Sequence, residues 1–424
     1  MSGGRTFAGF GFGPIQSGLF VYEAFSSGNF ERFVIAEVDK TLVQAVRNNG
    51  GKCRLNIARK DRIDQCEVFG IELYDPCEPA DRRKLIEAIS QAREIATSLP
   101  SVKFFDADPE CGVARLLADG LAARQSATGA IVYAAENNNH AAEILLDALH
   151  RHAGENDLKN VQILNTVIGK MSGVITDPGV MRRMNLATLT PDVPRAVLVE
   201  EFNHILVSRV TLEGFKRGIE VFVEKDDLLP FEEAKLYGHN AVHAMMGYLA
   251  ELRGYSVMSQ VGGDKWIMDR AREAFKRESA SAVVTRHAHL NDALFTRSGY
   301  DAYADDLLER MVNPNLNDLV DRVGRDHLRK LSYEDRLFGT MNLAMKAGES
   351  PVNLSLGAAA GVISLIKRQG ELKSPLACLP KRVEDLTREN LGRLLEELWQ
   401  GKADSNANAL ADLTWRSVRE LAGL

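Results

Sequence analysis

Strand-like and helix-like segments alternate through the first half of the chain, and this alternation constrains the fold more than any other feature. Short apolar runs rich in β-branched residues predict buried strands, as in "RFVIAEVD" from Arg32, "VQILNTVIG" from Val161 and "RAVLVEEF" from Arg195. Helical patterns such as "NHAAEILLDALHRHAG" stand between them. Because parallel strands need crossover connections, we predict an α/β fold with a mostly parallel sheet covered on both faces.

The periodicity becomes helical throughout from Phe231 onward, as in "FEEAKLYGHNAVHAMMGYLAELRGY" and "VNLSLGAAAGVISLIKRQG". A chain of 424 residues is also too long for one ordinary domain. We therefore predict two domains, an α/β domain over residues 1–205 and a mostly helical domain over residues 206–424.

Composition excludes several classes of partner. The formal net charge of -6 makes nucleic acid or an anionic membrane a poor partner. The five cysteines are odd in number and include no CxxC pair, which indicates a reducing compartment rather than a disulfide framework. The N-terminal residues lack the charged start and apolar run of a signal peptide, and no segment approaches the roughly 20 apolar residues that span a bilayer, so we expect neither feature. We expect a soluble, cytoplasmic protein with a small-molecule partner; the oligomeric state stays open.

A glycine-rich turn, "GFGPIQSG" from Gly11, follows the first strand and precedes a helix. The first glycine permits a tight turn, and Gly13 lets the backbone approach a pyrophosphate at a helix N-terminus. Gln16 stands where the motif has its third glycine, which weakens the signal. The strand–turn–helix context nevertheless favours cofactor binding over a purely structural turn. The residues predicted to hold the cofactor here are Gly11, Phe12, Gly13, Pro14, Ile15 and Gln16.

Glu37 lies near the end of the second predicted strand, where a carboxylate can accept hydrogen bonds from the ribose hydroxyls of NAD. A 2′-phosphate at that place would meet a like charge. The sequence therefore predicts NAD rather than NADP; the alternative is a surface glutamate with no ligand.

The segment from Pro230 carries His239 and His243 one helical turn apart, which raises the possibility of a metal site. The glutamate of an HExxH motif is absent, because Asn240 stands in its place. No third ligand is evident, although His287 and His289 occur downstream. We predict no metal, and we retain a zinc hydrolase centred on "HNAVH" as a remote alternative.

The same segment also spells K-x4-N-x2-H, with Lys235, Asn240 and His243. On a regular helix, Asn240 lies about 140° and His243 about 80° from Lys235. A partly desolvated lysine can act as a base, an asparagine amide can stabilise an oxyanion, and a histidine can hold a hydroxyl. Spacing alone, however, favours a solvated lysine beside buried helix residues.

Five segments together resemble a known family, in order over nearly the whole chain. They are "GFGPIQSGLF", "YAAENNNHA", "LVEEFNHILV", the K-x4-N-x2-H segment and "NPNLNDLVDRVGRDHLRKLSYEDRL". The chain resembles the polyol-specific long-chain dehydrogenases, the mannitol dehydrogenase family. This resemblance implies a Rossmann-type NAD-binding domain over residues 1–205, followed by a mostly helical substrate and catalytic domain over residues 206–424.

The resemblance also implies site residues. It makes Lys235 the general base, assigns an oxyanion pocket to Asn137 and Asn240, and places His243 in the substrate site. It further implies that basic residues of the downstream segment bind the substrate. The matching candidates are Arg322, Arg325 and Lys330; without the resemblance they would be a solvated basic stretch.

Three departures from the family pattern concern the substrate pocket and the turn. Gln16 replaces the third glycine, and "IGKM" replaces a Val-Asp-Arg-Ile element, so that Gly169 and Lys170 stand for an aspartate and an arginine. Ile205 stands where a tryptophan is usual. The comparison with the family pattern therefore predicts that the chemistry is retained and that the substrate pocket is altered.

The function expected from the resemblance is that of an NAD-dependent polyol or polyol-phosphate dehydrogenase. A hexuronate or aldonate oxidoreductase of the same superfamily is the nearest alternative. A non-catalytic NAD-binding sensor and the zinc hydrolase belong to other classes.

Overall fold

The structure is a computed structural model that describes residues 5–124, 129–372 and 376–422. The chain divides into two compact units, Met1–Leu229 and Pro230–Leu424. We refer to them as the first unit and the second unit.

Twelve strands are formed by the described residues of the first unit. They are β1 (Thr6–Phe10), β2 (Arg32–Ala36), β3 (Cys53–Ala58), β4 (Ile63–Val68), β5 (Ile71–Tyr74), β6 (Glu94–Thr97), β7 (Ala130–Ala134), β8 (Val161–Val167), β9 (Ser172–Ile175), β10 (Ala196–Glu200), β11 (Leu206–Ser208) and β12 (Val223–Lys225).

The larger sheet has the order β12-β11-β8-β7-β6-β1-β2-β5. Its six strands from β8 to β5 pair in parallel, in the order of a doubly wound dinucleotide-binding sheet. β11 continues the sheet antiparallel to β8, and β12 pairs with β11. The predicted α/β class with a mostly parallel sheet is confirmed.

Seven α-helices belong to the described part of the first unit. They are α1 (Tyr22–Ser27), α2 (Lys40–Asn48), α3 (Pro79–Gln91), α4 (Val113–Ala122), α5 (Ala141–His150), α6 (Glu155–Leu158) and α7 (Pro178–Arg183). A π-helix, Gln16–Val21, leads into α1, and Val102–Phe104 is a 3-10 turn. Leu85, Leu117 and Leu145, which lie on α3, α4 and α5, belong to one buried apolar cluster with strand residues of the sheet.

A second sheet, of order β4-β3-β10-β9, was not anticipated from the sequence. The run "RAVLVEEF" is indeed a strand, but β10 pairs in parallel with β3 rather than joining the larger sheet. Leu55 of β3 and Val199 of β10 pack in the same buried cluster as Ile35 of the larger sheet. The run is apolar because both faces of β10 are buried, and burial alone does not reveal which sheet a strand joins.

The boundary between the units lies further along the chain than residue 205. β11 and β12 follow that position and complete the larger sheet, so residues 206–229 group with the first unit. Their strands are only three residues long, and short strands give little periodic signal.

The expectation of reduced cysteines is wrong for one pair, because Cys77 and Cys111 form a disulfide. Cys77 precedes α3 and Cys111 precedes α4, and these two helices pack against each other. The cysteines are 34 residues apart in sequence, so only the packing of the helices brings them together. The other described cysteines, Cys53, Cys66 and Cys378, are free.

Eleven α-helices make up the described part of the second unit, the first of them beginning at the boundary. They are α8 (Leu229–Ala234), α9 (Ala241–Leu252), α10 (Lys265–Glu273), α11 (Ala280–His287), α12 (Arg297–Met311), α13 (Val320–Gly324), α14 (His327–Lys330), α15 (Arg336–Lys346), α16 (Val352–Lys367), α17 (Arg388–Trp399) and α18 (Ala407–Ala422).

Two π-helices and six 3-10 turns connect these α-helices. The π-helices are Lys235–Asn240 and Ala274–Ser279. The 3-10 turns are Met258–Gly263, Ala288–Leu290, Ala293–Phe295, Pro314–Leu316, Gln369–Glu371 and Val383–Asp385. None of the described helices is both long enough and apolar enough to cross a membrane.

The core of the second unit is built on α9 and α16. Both helices are apolar around most of their circumference, which is the pattern of helices surrounded by protein. α9 follows directly on the π-helix Lys235–Asn240. The K-x4-N-x2-H segment is therefore anchored at one end by the most buried part of the unit.

Candidate active site

The turn after β1 has the shape that the glycine pattern predicts. Gly11 has a φ of 77°, and a Cβ there would lie 2.8 Å from the Ser98 carbonyl oxygen, so the turn requires glycine at this position. A Cβ at Gly13 would meet nothing within 4 Å. The backbone at Gly13 therefore faces open space, as close approach by a pyrophosphate requires.

Gln16 is accommodated by a different glycine. Its side chain is fully buried, and a Cβ at Gly9 of β1 would lie 1.9 Å from the Gln16 Nε2 atom. Gly18 makes the close helix approach instead, since a Cβ there would lie 2.5 Å from Val199 Cγ1. The Gln16 side chain thus lies beneath the turn, against β1, and only its backbone is left to contact a cofactor.

Glu37 is hydrogen-bonded to the same turn. Its Oε2 accepts the Phe12 N–H at 2.6 Å, and its Oε1 accepts the Asp39 N–H at 2.9 Å. Each carboxylate oxygen has a second lone pair, so Glu37 can still accept from ribose hydroxyls. Val38 is 71% exposed immediately beside it. The predicted position of Glu37, at the carboxyl end of β2 and next to the turn, agrees with the structure.

Glu136 was missed by the sequence analysis, although it immediately precedes Asn137. It is 4% exposed, and it accepts hydrogen bonds from Thr97 Oγ1 and from the Leu99 N–H, both at 2.9 Å. Burial raises the pKa of this carboxyl group to about 7. Glu136 ties the end of β7 to the end of β6, and the exposed Asn137 follows at the same edge of the sheet. The sequence signal that could have identified Glu136 is an acidic residue at the end of a predicted strand.

Lys235 and Asn240 are the first and last residues of a π-helix in the second unit. A π-turn links residues i and i+5, so these two residues lie close to one face, whereas a regular helix would separate them by about 140°. The angular positions expected from a regular helix are therefore wrong for this segment. The K-x4-N spacing fits a π-turn.

Lys235 is partly buried, and burial lowers the pKa of its amine to about 8. The positive charge of Arg336 acts in the same direction, while the carboxylate of Glu232 opposes it. About a tenth of such an amine is deprotonated at pH 7, far more than of an ordinary lysine. Lys235 is thereby suited to act as a base.

His243 lies against a carboxylate that the sequence analysis did not identify. Its Nε2 is 3.2 Å from Oδ2 of Asp318, which is 8% exposed. Arg322 donates from Nε to the other oxygen of Asp318 at 2.7 Å. Burial would raise the pKa of Asp318, but the contacts with His243 and Arg322 lower it, so the carboxylate is held in its charged form.

His239 is buried, with its ring centroid 5.9 Å from that of His243, and burial holds its pKa well below the usual range. His287, one of the two downstream histidines, contacts Glu233 at 2.7 Å. Within residues 5–124, 129–372 and 376–422, no group of three or more His, Cys, Asp or Glu side chains could hold a metal ion. No observation in this part of the chain favours the "HNAVH" zinc site.

The three basic residues predicted to bind substrate have different surroundings. Arg322 is paired with Asp318, beside His243. Lys330 is buried and donates to the Val323 carbonyl oxygen, and burial lowers its pKa to about 7. Arg325 is exposed. Arg322 is the one of the three that the structure brings to the His243 site.

Arg336 was also missed, although it lies within the quoted segment "SYEDRL". It is 9% exposed and begins α15, where its Nε donates to Asp335 Oδ1 at 2.7 Å. Its charge lowers the pKa of both Lys235 and His239. The buried guanidinium of Arg336 therefore favours the deprotonated form of Lys235.

The sequence and the fold are similar to those of known proteins. Residues 227–373 match the mannitol dehydrogenase C-terminal domain. Mannitol-1-phosphate 5-dehydrogenase of Caldanaerobacter subterraneus subsp. tengcongensis is 29% identical over 368 residues, which cover 84% of this chain and 85% of that protein. Both matches support the predicted mannitol dehydrogenase family.

Two solved structures of mannitol and sorbitol dehydrogenases share the fold. Mannitol 2-dehydrogenase of Pseudomonas fluorescens, in a ternary complex with NAD and D-mannitol, is 17% identical with a TM-score of 0.71 and covers 99% of this chain and 92% of its own. A D-sorbitol dehydrogenase in substrate-free form is 13% identical, with a TM-score of 0.75, and the alignment covers 99% of this chain and 94% of the sorbitol dehydrogenase chain. The predicted family is confirmed, and with it the predicted enzyme class, an oxidoreductase acting on CH–OH groups.

Proposed function

We propose that this member of the mannitol dehydrogenase family is an NAD-dependent dehydrogenase of a polyol or a polyol phosphate. The observation that carries the proposal is the partly buried Lys235, with a pKa of about 8, on a π-turn that ends in Asn240. The relative named above is a mannitol-1-phosphate 5-dehydrogenase and aligns over most of the chain, which supports a phosphorylated polyol.

The residues of the first unit fit NAD. The open backbone at Gly13 would hold the pyrophosphate, with the helix N-terminus that follows, and Glu37 would accept from the ribose hydroxyls. Of the residues predicted for this task, Gly11, Phe12, Pro14 and Ile15 would contribute through the backbone of the turn. When bound, NAD supplies the acceptor for the hydride.

The residues of the second unit would carry the proton chemistry. Lys235 takes the hydroxyl proton during oxidation and returns it during reduction of the ketone. Asn240 donates from its amide to the oxygen as charge develops, and Asn137 is proposed for the same task. His243 holds the substrate hydroxyl; a proton on Nε2 would face Asp318 and leave Nδ1 as an acceptor.

Substrate binding by the basic residues stays part of the proposal. Arg322 is the strongest of the three candidates, because it lies at the Asp318 carboxylate that contacts His243. Arg325, being exposed, would act as a peripheral charge. Lys330 already donates to a backbone carbonyl, which leaves it two further N–H donors.

The test is a panel of polyols, polyol phosphates and aldonates, assayed by NADH absorbance with the wild type and with Lys235→Ala. We expect turnover of a polyol or its phosphate, and a loss of about 10²–10⁴-fold in kcat for the variant. NADH binding should be retained, since the turn is in the other unit. Turnover of aldonates alone would favour the hexuronate alternative, and an NADH-binding protein with no turnover would favour a sensor. Full activity of Lys235→Ala would remove the lysine base from the proposal.

A further inference from the structure

The backbone carbonyl of Tyr237, inside the π-helix, accepts two side-chain hydroxyl groups. Ser279 donates from Oγ at 2.8 Å, and Thr340 Oγ1 lies 3.2 Å away while sharing its proton with the Arg336 carbonyl oxygen of its own helix. In a regular α-helix the Ala241 N–H would donate to this carbonyl, but here it donates to the Gly238 oxygen. The two hydroxyls thus bind a carbonyl whose usual helical donor is directed elsewhere.

These hydroxyls come from two separate elements. Ser279 is the last residue of the π-helix Ala274–Ser279, and Thr340 lies in the second turn of α15. Both side chains are fully buried. Ser279 is also 2.6 Å from the Tyr300 hydroxyl, which extends the network away from Tyr237. Two elements distant in sequence therefore converge on one carbonyl.

The packing around the π-helix is shaped to its present backbone. A Cβ at Gly238 would lie 2.5 Å from the Tyr300 hydroxyl and 2.7 Å from Phe275 Cε2. Glycine is thus needed at the centre of the turn because two buried aromatic side chains approach its backbone. Tyr300 also contacts Ser279, so the aromatic packing and the hydrogen bonds both bear on the backbone of this π-helix.

Buried serine and threonine hydroxyls commonly donate to a carbonyl within their own helix. Thr414 does so, donating to the Leu410 oxygen, and Ser355 donates to the Val352 oxygen. Ser279 differs, since its acceptor is 42 residues away in sequence. Thr340 contacts two carbonyl oxygens, that of Arg336 within α15 at 2.5 Å and that of Tyr237, 103 residues away, at 3.2 Å. Satisfying a hydroxyl does not require this tertiary contact.

We propose that Ser279 and Thr340 are positioning residues, which hold the π-turn through the Tyr237 carbonyl and so keep Lys235 and Asn240 on one face. The inference rests on the proposed function, because it concerns the placement of that base and that amide. If the turn relaxed to a regular helix, Asn240 would move to about 140° from Lys235. The base and the oxyanion donor could not then face one substrate carbon.

The pH profile reports this placement, because the environment of Lys235 would change with the turn. Glu232 and Arg336 are the charged groups that act on Lys235, and its own charge acts on His239. The neighbouring Tyr237 side chain faces four further charged groups, namely Glu233, Arg286, Glu334 and Asp335. A Lys235 that swings toward solvent loses the burial that lowers its pKa, so the rise of oxidation with pH would move to more alkaline pH.

The experiment compares Ser279→Ala, Thr340→Val and the double variant with Ser355→Ala and Thr414→Val. The controls remove equally buried hydroxyls of the same unit that do not touch the π-helix. We expect the double variant to lose about 10²-fold in kcat, the scale of a misplaced catalytic group, with its pH profile shifted upward. NADH affinity should be unchanged, and Thr340→Ser, which retains the hydroxyl, should restore both properties relative to Thr340→Val.

Each outcome of this experiment either supports the positioning role of the two residues or overturns it. If the double variant keeps the kcat and pH profile of the controls, while Lys235→Ala is inactive, the positioning role is wrong and the proposed function stands. Equal losses in the controls, or no difference between Thr340→Ser and Thr340→Val, also overturn it. Activity in Lys235→Ala refutes the proposed function instead. Should the double variant fail to fold, the near-isosteric Thr340→Val is read against Thr340→Ser by the same criteria.

Discussion

The Nε2 atom of His243 lies 3.2 Å from Oδ2 of Asp318, whose other oxygen accepts from Arg322. One buried carboxylate therefore connects the histidine of the K-x4-N-x2-H segment to the downstream basic segment. The two segments were predicted to share a site only through the family resemblance. The contact gives that prediction a physical basis within the second unit.

Asp318→Asn should weaken substrate binding. The amide cannot balance a charge on Arg322, and it no longer favours a proton on the facing nitrogen of His243. Charge-assisted contacts are worth roughly 1.5–3 kcal/mol, so KM should rise about 10–100-fold, with NADH affinity unchanged. Steady-state kinetics on the best substrate checks this. Asp321→Asn is the control, because Asp321 lies three residues further along the chain and is an exposed carboxylate that pairs with Arg368. Equal effects of the two variants would contradict the role of Asp318.

Arg336→Gln should move the pH profile of oxidation toward alkaline pH. A nearby positive charge disfavours protonated Lys235, so its removal raises the lysine pKa above about 8 and leaves less free base at neutral pH. The rate at pH 7 should fall, while the plateau at high pH changes less. Rates measured across the pH range provide the test. Arg329→Gln serves as the control, because Arg329 also pairs with Asp335 but is exposed. If Arg336→Gln has the same pH profile as the wild type, the charge of Arg336 does not act on Lys235.

Glu37→Gln should narrow the preference for NAD over NADP. The substitution keeps the size of the side chain and removes the charge that would repel a 2′-phosphate. Because Glu37 also accepts the Phe12 N–H, the amide oxygen should preserve the shape of the turn. The measurement is kcat/KM with each cofactor. A wild type that prefers NADP, or a variant whose preference is unchanged, would contradict the assignment of Glu37.

Reduction of the Cys77–Cys111 disulfide should destabilise the first unit. The bond closes a loop of 34 residues, and loop-closure entropy assigns such a crosslink about 3–4 kcal/mol of stability. Thermal unfolding should therefore occur at lower temperature in reductant. Cys77→Ser should unfold at that lower temperature with or without reductant. A wild type whose unfolding is insensitive to reductant would argue against the disulfide.

Periodicity and glycine placement were sufficient to predict the parallel sheet, the helical second half and the turn at Gly11. Pairs distant in sequence were not predictable, because nothing local marks Asp318 as the neighbour of His243 or Cys77 as the partner of Cys111. The π-helix was missed for a related reason. Angles of 100° per residue presuppose regular hydrogen bonding, and the Tyr237 carbonyl is bound by hydroxyls that only tertiary packing supplies.

Residues 206–229 bear on how the first unit can be isolated. β11 covers the edge of β8, and β12 in turn covers β11. A fragment ending at residue 205 would leave the backbone donors and acceptors of β8 unpaired at Thr166 and Val167, where β11 pairs with it, and an open strand edge invites pairing between copies and aggregation. A fragment ending at residue 229 keeps that edge covered. A difference of 24 residues in the end point would thus separate an aggregation-prone fragment from a fragment that stays monomeric.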